Sequence, residues 1–206
     1  ETGFLKKGTK SVGVKRQYSG TAGKVENCQI GVLLSYVSPH GHTFLDRQLY
    51  LPKEWCQDRT RRDNAKVPKE VAFQTKPQLG GAMLRHAWAQ GVPMRWVTGD
   101  EVSGNAPDLR ALLATQDGVH YVLAVAAKCP VWPERPSVAA PTPQTRGRPH
   151  AKLRLAPDAP GVSTVSAIVA AWPEERWQRL TVAAGEKGLR TYDWAQGRGG
   201  ESQRGL

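Results

Sequence analysis

Apolar residues recur along this chain in two spacings, and the switches between them order its elements. Over "SVGVKRQY", residues 11–18, Val12, Val14 and Tyr18 fall on one face of a period-two pattern, which predicts a half-buried strand. "CQIGVLLSYV", 28–37, is a near-continuous apolar run of strand length, and "HTFLDRQLYL", 42–51, is a second strand-like run beyond the turn residues "SPHG". Two such runs across a short turn predict an antiparallel hairpin. The charged "DRTRRDN" that follows reads as a loop. The period then lengthens: Leu79, Met83 and Ala87 are four apart, Thr75 stands ahead of them as an N-cap, Pro77 sits in the first turn and Gly91 supplies the stop. "MRWVT", 94–98, predicts a short strand, "NAPDLRALLA", 105–114, an Asn-capped helix, and "VHYVLAVA", 119–126, a buried strand. A meander followed by helix, strand, helix and strand predicts an α/β fold with a mixed sheet, antiparallel first and parallel later, flanked by helices.

The periodicity fails near residue 129, where Pro130, Pro133, Pro136, Pro141, Pro143 and Pro149 interrupt the chain. That density leaves no regular element there. The predicted organisation is a core at 1–128, a Pro-rich basic linker at 129–160, and a partial helical insertion with an irregular tail at 161–206. In that last part "VSTVSAIVAAWPEERWQRL" breaks into two helical pieces at Pro173. The opening Glu1 and the Gly-rich end read as a chain cut at both ends. The longest apolar runs, 121–127 and 165–172, fall short of the roughly 18 residues a membrane helix needs, so no crossing is expected. Nothing resembles an export leader, and the expected location is cytoplasmic.

Charge changes the picture most. The 206 residues carry 29 Lys and Arg against 18 Asp and Glu, a net charge of +11, which suits a polyanionic partner and nucleic acid above all. Lys6, Lys7, Lys10, Lys15, Arg16 and Lys24 form one basic cluster, and Arg146, Arg148, Lys152 and Arg154 a second. Each reads equally as a row of phosphate contacts or as a solvated face. The three scattered cysteines, Cys28, Cys56 and Cys129, suit reduced structural thiols better than a disulfide framework or a zinc site. His40 and His42 read as exposed turn residues, and Asp46 with Arg47 as a structural charge pair. Trp55, Trp88, Trp96, Trp172 and Trp177 read as packing residues rather than platforms for bases.

Against this basic background, "WVTGDEVSG", 96–104, sets Asp100 and Glu101 just after a strand. Ligands of open α/β sheets bind at the carboxyl ends of strands. Asp100 there has two readings: it caps the next turn or helix, the commoner use of Asp, or it holds a hard divalent cation.

"ETGFLKKGTKSVGVKRQYSGTAGKVENCQIGVLLSYVSPHG", "DRQLYLPKEW", "WVTGDEVSG" and "LRTYDWA" resemble, in order and spacing, the catalytic region of insertion-sequence transposases of the DDE superfamily, over roughly residues 1–195. The resemblance implies an RNase H-like fold, DNA (transposon ends and target) as partner, no membrane, and a homodimer in the intact protein. It also implies metal-dependent phosphodiester transfer with Mg2+ or Mn2+, the cations held by two Asp and one Glu. Asp100 matches the second catalytic Asp and is the one catalytic and metal-ligating residue the resemblance assigns. Glu1 and Thr2 match the second and third positions of the family's Asp-x-Thr motif, which puts the first Asp one residue upstream, and nothing after Trp194 matches the Tyr-Arg-Glu-Lys signature of the third acid. Ser103 stands where the family has an aromatic. The expectation is a transposase segment that is inactive alone, with a non-catalytic basic DNA-binding module or another RNase H-like nuclease as the alternatives.

Overall fold

A computed structural model describes residues 1–139, 154–185 and 188–197. The fifteen-residue strand Lys24–Ser38 organises the first of two compact units, Glu1–Ala124 and Val125–Leu206. Around it lie β1 (Thr2–Leu5) and β2 (Lys15–Ser19), then the long strand itself as β3, then β4 (Gly41–Tyr50). All three neighbours pair with β3 antiparallel: β1 over Cys28–Gly31, β2 over Lys24–Cys28 and β4 over Ile30–Ser38. Since β1 overlaps both of the others on β3, β2 and β4 share one edge of β3 and β1 takes the other. The hairpin of β3 and β4 is the one the apolar runs predicted.

Helices α1 (Lys53–Gln57) and α2 (Arg59–Asn64) follow. The second corrects the loop expected for "DRTRRDN". It carries its own cap, Asp58 Oδ1 accepting from the Arg61 amide at 2.9 Å, but it buries no residue, so no apolar period announces it. Helix α3 (Lys76–Ala89) matches its prediction closely: Thr75 and Gln78 close a capping box, and Gly91 at φ +69° ends it. Leu79 and Met83 pack on Val32 of the sheet, while Leu84 packs with Leu109 and Leu113. The helix is therefore the layer between the antiparallel sheet and the elements that follow it. These are β5 (Trp96–Gly99), α4 (Glu101–Gly104), α5 (Pro107–Ala114) and β6 (His120–Leu123), with β5 and β6 parallel. The unit is thus mixed α/β, although β5 and β6 bond as a sheet of their own rather than as part of one mixed sheet with β1–β4.

Two local expectations differ. The first strand-like run pairs only from Lys15, because the backbone turns at Gly13 with φ +76°, where a Cβ would lie 2.9 Å from the Tyr50 carbonyl oxygen. Val14 is buried as predicted, but Tyr18 is exposed. Asn105 ends α4 instead of capping α5, whose N-cap is Ala106 followed by Pro107.

In the second unit the strands are short: β7 (Pro130–Val131), β8 (Val138–Ala139), β9 (Arg154–Leu155) and β10 (Ser163–Thr164). β7 pairs with β10, and β8 with β9. β7 and β8 correct the expectation of no regular element in this stretch, and Pro130 is tolerated because it opens its strand. Helix α6 (Val165–Ala170) and the 3-10 turn Glu174–Arg176 are the two helical pieces expected on either side of Pro173. Beyond them the chain forms a hairpin that the helical reading of 161–206 did not include, β11 (Gln178–Gly185) with β12 (Gly188–Trp194). A bulge between Thr181 and Ala183 breaks its period of two, which hid it from the pattern.

Candidate functional site

Strand β5 ends at Gly99, and the next residue is Asp100. Its Oδ1 accepts from the Ser103 amide and from the Ser103 hydroxyl, both at 3.1 Å, so Asp100 is the N-cap of α4. Capping leaves Oδ2 without a partner among the described residues, and the residue is exposed. Capping and ligation are therefore compatible in one side chain. Ser103, in the place where the family has an aromatic, is the residue that orients the carboxylate.

The position of Asp100 is held from beneath. Val97 and Leu123 join the cluster of Leu84, Leu109 and Leu113, which fastens β5 and β6 to α3 and α5. Gly99 leaves the space that α4 needs: a Cβ there would lie 2.8 Å from the Ser103 Cβ and 2.9 Å from the Leu123 Cδ2. Gly99→Ala is expected to cost about 1–3 kcal/mol through overpacking and to weaken the Asp100–Ser103 contact. Urea unfolding and the Ser103 amide exchange rate measure the two effects. A variant with unchanged stability and unchanged Ser103 protection would show that β5 yields freely.

A cleft of about 210 Å³ collects Asp100, Glu1, Lys76 and Ser103 with Val97–Gly99 and Val32–Leu34. Glu1 and Val32 share the α3-facing side of the sheet, since Thr2 pairs with Gly31 and the next pair back is Glu1 with Val32. Glu1 is thereby set against Lys76 of α3. Lys76 Nζ lies 2.8 Å from Oε1 and 2.7 Å from Oε2 of Glu1, with side chains 22% and 19% exposed, and 5.6 Å above the Tyr50 ring. Sequence reasoning missed Lys76. The available signal was a lysine in the first helical turn, where the helix dipole disfavours positive charge unless a partner is supplied.

Glu101 opens α4 and is exposed, its Oε1 3.5 Å from the Asn105 side-chain amide. Among the described residues no group of three or more His, Cys, Asp or Glu stands together as a metal site. With the Glu1 carboxylate taken by Lys76, the donors here do not complete a two-cation set.

The other candidates lie apart from the cleft lining. Lys6, Lys7, Lys10, Lys15, Arg16 and Lys24 are all exposed, on the loop between β1 and β2 and on β2 and β3. Lys15 pairs with Glu54 at 2.6 Å and Lys24 with Glu26 at 3.0 Å. These hydrogen bonds, first among the causes, hold both carboxyls below the usual range. Lys6, Lys7 and Lys10 make no ion pair among the described residues. Their loop is held by its backbone: Asn27 Nδ2 donates to the Lys6 and Gly8 carbonyls at 2.8 Å each, and Arg61 Nη2 to that of Thr9 at 2.6 Å. Arg154 is exposed in β9, while Arg146, Arg148 and Lys152 lie outside the described residues.

His40 and His42 are exposed at the hairpin turn. Asp46 faces His86 at 3.5 Å and accepts from the backbone amide of Arg47. Burial pushes the thiols of Cys28 and Cys56 up, and all three cysteines are free. Trp55 is a core residue and Trp88 donates to the Met94 Sδ, whereas Trp96 is exposed beside the His120 ring. No helix among the described residues is long and apolar enough to cross a membrane.

Residues 1–196 match the sequence pattern of a protein family described as "DDE superfamily endonuclease". A curated relative, "Probable transposase for insertion sequence element IS701" from Microchaete diplosiphon, is 28% identical over 126 residues, 61% of this chain and 30% of that protein. The chain thus spans under a third of that relative's length. No solved structure matches.

Proposed function

This chain belongs to the DDE superfamily endonuclease family, and from that premise we propose that it is a segment of a DNA transposase acting in cleavage and joining of DNA strands at insertion-sequence ends. The observation that carries the reading is Asp100, set at the carboxyl end of β5 in the lining of the cleft, with one carboxylate oxygen fixed by Ser103 and the other without a partner among the described residues. The first unit is assigned an RNase H-like fold. The order of elements supports this: four antiparallel strands, then helices, and then two parallel strands joined through helices.

Asp100 is the carboxylate this segment offers to a divalent cation, Mg2+ or Mn2+, which would supply Lewis-acid stabilisation of phosphate oxygens. The chain's own residues position that carboxylate and bring basic side chains to the phosphates. DNA is the partner, contacted through phosphates and hence without sequence preference from these lysines. Alone the segment cleaves nothing, because the donors it brings together are too few to fix two cations. That same shortfall favours the second reading, a basic DNA-binding module without catalysis of its own.

Supercoiled plasmid with Mg2+ or Mn2+ tests these statements together. The chain is expected to retard the plasmid and to nick it no faster than buffer. A chain that leaves plasmid mobility unchanged would remove DNA as the partner. Nicking that disappears in Asp100→Ala would keep Asp100 as the ligand but overturn the claim that the donor set is incomplete.

A further inference from the structure

Helix α2 and the turn after it close around a basic cavity that shares no lining residue with the cleft of Asp100. The chain reverses at Lys66, whose φ of 55° lies in the left-handed region, and the amides of Lys66 and Val67 donate back to the Asp63 and Arg62 carbonyls at 3.1 and 3.0 Å. Arg62 then holds the returning segment, its Nη2 donating to the Pro68 and Val71 carbonyls at 2.8 Å each. Val67 and Cys56 pack against the buried cluster of Val14, Leu51 and Trp55. The result is a cavity of about 330 Å³ lined by half-buried Cys56, Arg62 and Val67 and by exposed Arg59, Asp63 and Lys69. Three cations meet one acid there, and none of the four makes an ion pair among the described residues. A concavity with apolar walls concentrates the field of its charges. The same helix adjoins the lysine loop, since Arg61 Nη2 donates to the Thr9 carbonyl at 2.6 Å.

We propose that this cavity is a pocket for one backbone phosphate of DNA, held jointly by Arg59 and Lys69. The inference rests on DNA being the partner and adds the place where a single phosphate is gripped. Arg62 keeps the pocket's shape, because its Nη2 is committed to carbonyls, and adds its charge. The side chains of Arg59 and Lys69 make no hydrogen bond among the described residues, so both are free to turn to a ligand. A planar guanidinium meets two phosphate oxygens at once, and an ammonium supplies a compact second donor. Asp63 is the opposing group: its carboxylate repels a phosphate that enters, so it limits how tightly the pocket holds one. Since α2 adjoins the loop of Lys6, Lys7 and Lys10 through Arg61, a duplex seated on that loop passes close to the pocket.

The test titrates fluorescently labelled duplex DNA with the full 206-residue chain, with Arg59→Gln and Lys69→Gln combined, and with Asp63→Asn. Because one phosphate is shared, the double variant is expected to flatten the slope of log affinity against log salt by about 0.9, or about 3.5-fold in affinity between about 50 and 200 mM salt. Two independent surface contacts would flatten it by about 1.8. Asp63→Asn is expected to tighten binding by about 1.5- to 5-fold at the lower salt, the range for one exposed charge interaction. The urea midpoint should stay unchanged in both variants, since none of the three side chains bonds among the described residues. An unchanged slope in the double variant, a flattening of about 1.8, or no gain in Asp63→Asn overturns the pocket and leaves DNA as the partner. Millimolar inorganic phosphate at constant ionic strength that erases the difference between the chain and the double variant also overturns it, because the pocket would then prefer the free anion. No binding by any of these proteins removes the DNA reading itself, and the pocket with it.

Discussion

Trp55→Ala is expected to destabilise the first unit by about 3–5 kcal/mol, the range for deleting a fully buried large aromatic. Trp55 is 1% exposed and packs with Val14 and Leu51, joining α1 to the loop between β1 and β2. Its Nε1 donates to the Val14 carbonyl at 2.8 Å, and the Arg61 guanidinium lies 3.8 Å above its ring. Truncation therefore opens a cavity, leaves a buried carbonyl with a poorer donor, and strips Arg61 of the face that orients it toward the Thr9 carbonyl. Two measurements separate these effects. The urea midpoint should fall in Trp55→Ala and fall less in Trp55→Phe, which keeps most of the volume and loses the donor. Tryptic cleavage at Lys6, Lys7 and Lys10 should accelerate in both, because Arg61 and Val14 hold the loop. An unchanged midpoint in Trp55→Ala would mean that this cluster does not stabilise the unit.

The elements readable from sequence are those whose local signal and tertiary role coincide. Helix α3 has cap, period and stop within one window, and each serves the same packing, since Leu79 and Met83 face the sheet. The hairpin of β3 and β4 is legible because two strand-length runs flank the short turn at Ser38–Gly41, which joins them directly in register. Asp100 was legible for the same reason, because a short strand followed by an acid is a local pattern.

Long-range features were not legible. Nothing near Glu1 in sequence announces Lys76, seventy-five residues away, yet their ion pair decides that one of the two carboxylates on the cleft is already neutralised. Helix α2 lacks an apolar face because its work is done by arginine side chains: Arg62 Nη2 donates to the Pro68 and Val71 carbonyls at 2.8 Å each, closing the segment that leads to α3. Polar anchoring of that kind has no periodicity to read.

The anchored loop between β1 and β2 makes the sharpest statement about DNA. Of the six basic residues read as one cluster, Lys15 and Lys24 are engaged with Glu54 and Glu26 and Arg16 stands exposed on β2, while Lys6, Lys7 and Lys10 lie in a loop whose carbonyls are held by Asn27 and Arg61. A loop fixed before binding loses little ordering entropy when phosphates arrive, so its three lysines should each displace a counterion. Their joint share of the salt dependence is then a slope of about −2.7 in log affinity against log salt, or about 40-fold in affinity between 50 and 200 mM salt. Duplex binding measured by fluorescence anisotropy across that range should show a slope at least this steep for the chain. Substituting Lys6, Lys7 and Lys10 together by glutamine should flatten it by about 2.7, with the urea midpoint unchanged, since their side chains make no ion pair among the described residues. The Lys15→Gln and Lys24→Gln variants should flatten it far less, because each lysine must leave a carboxylate before it reaches a phosphate. Identical slopes for the chain and the triple variant would place the DNA contacts elsewhere and reduce this cluster to a solvated face.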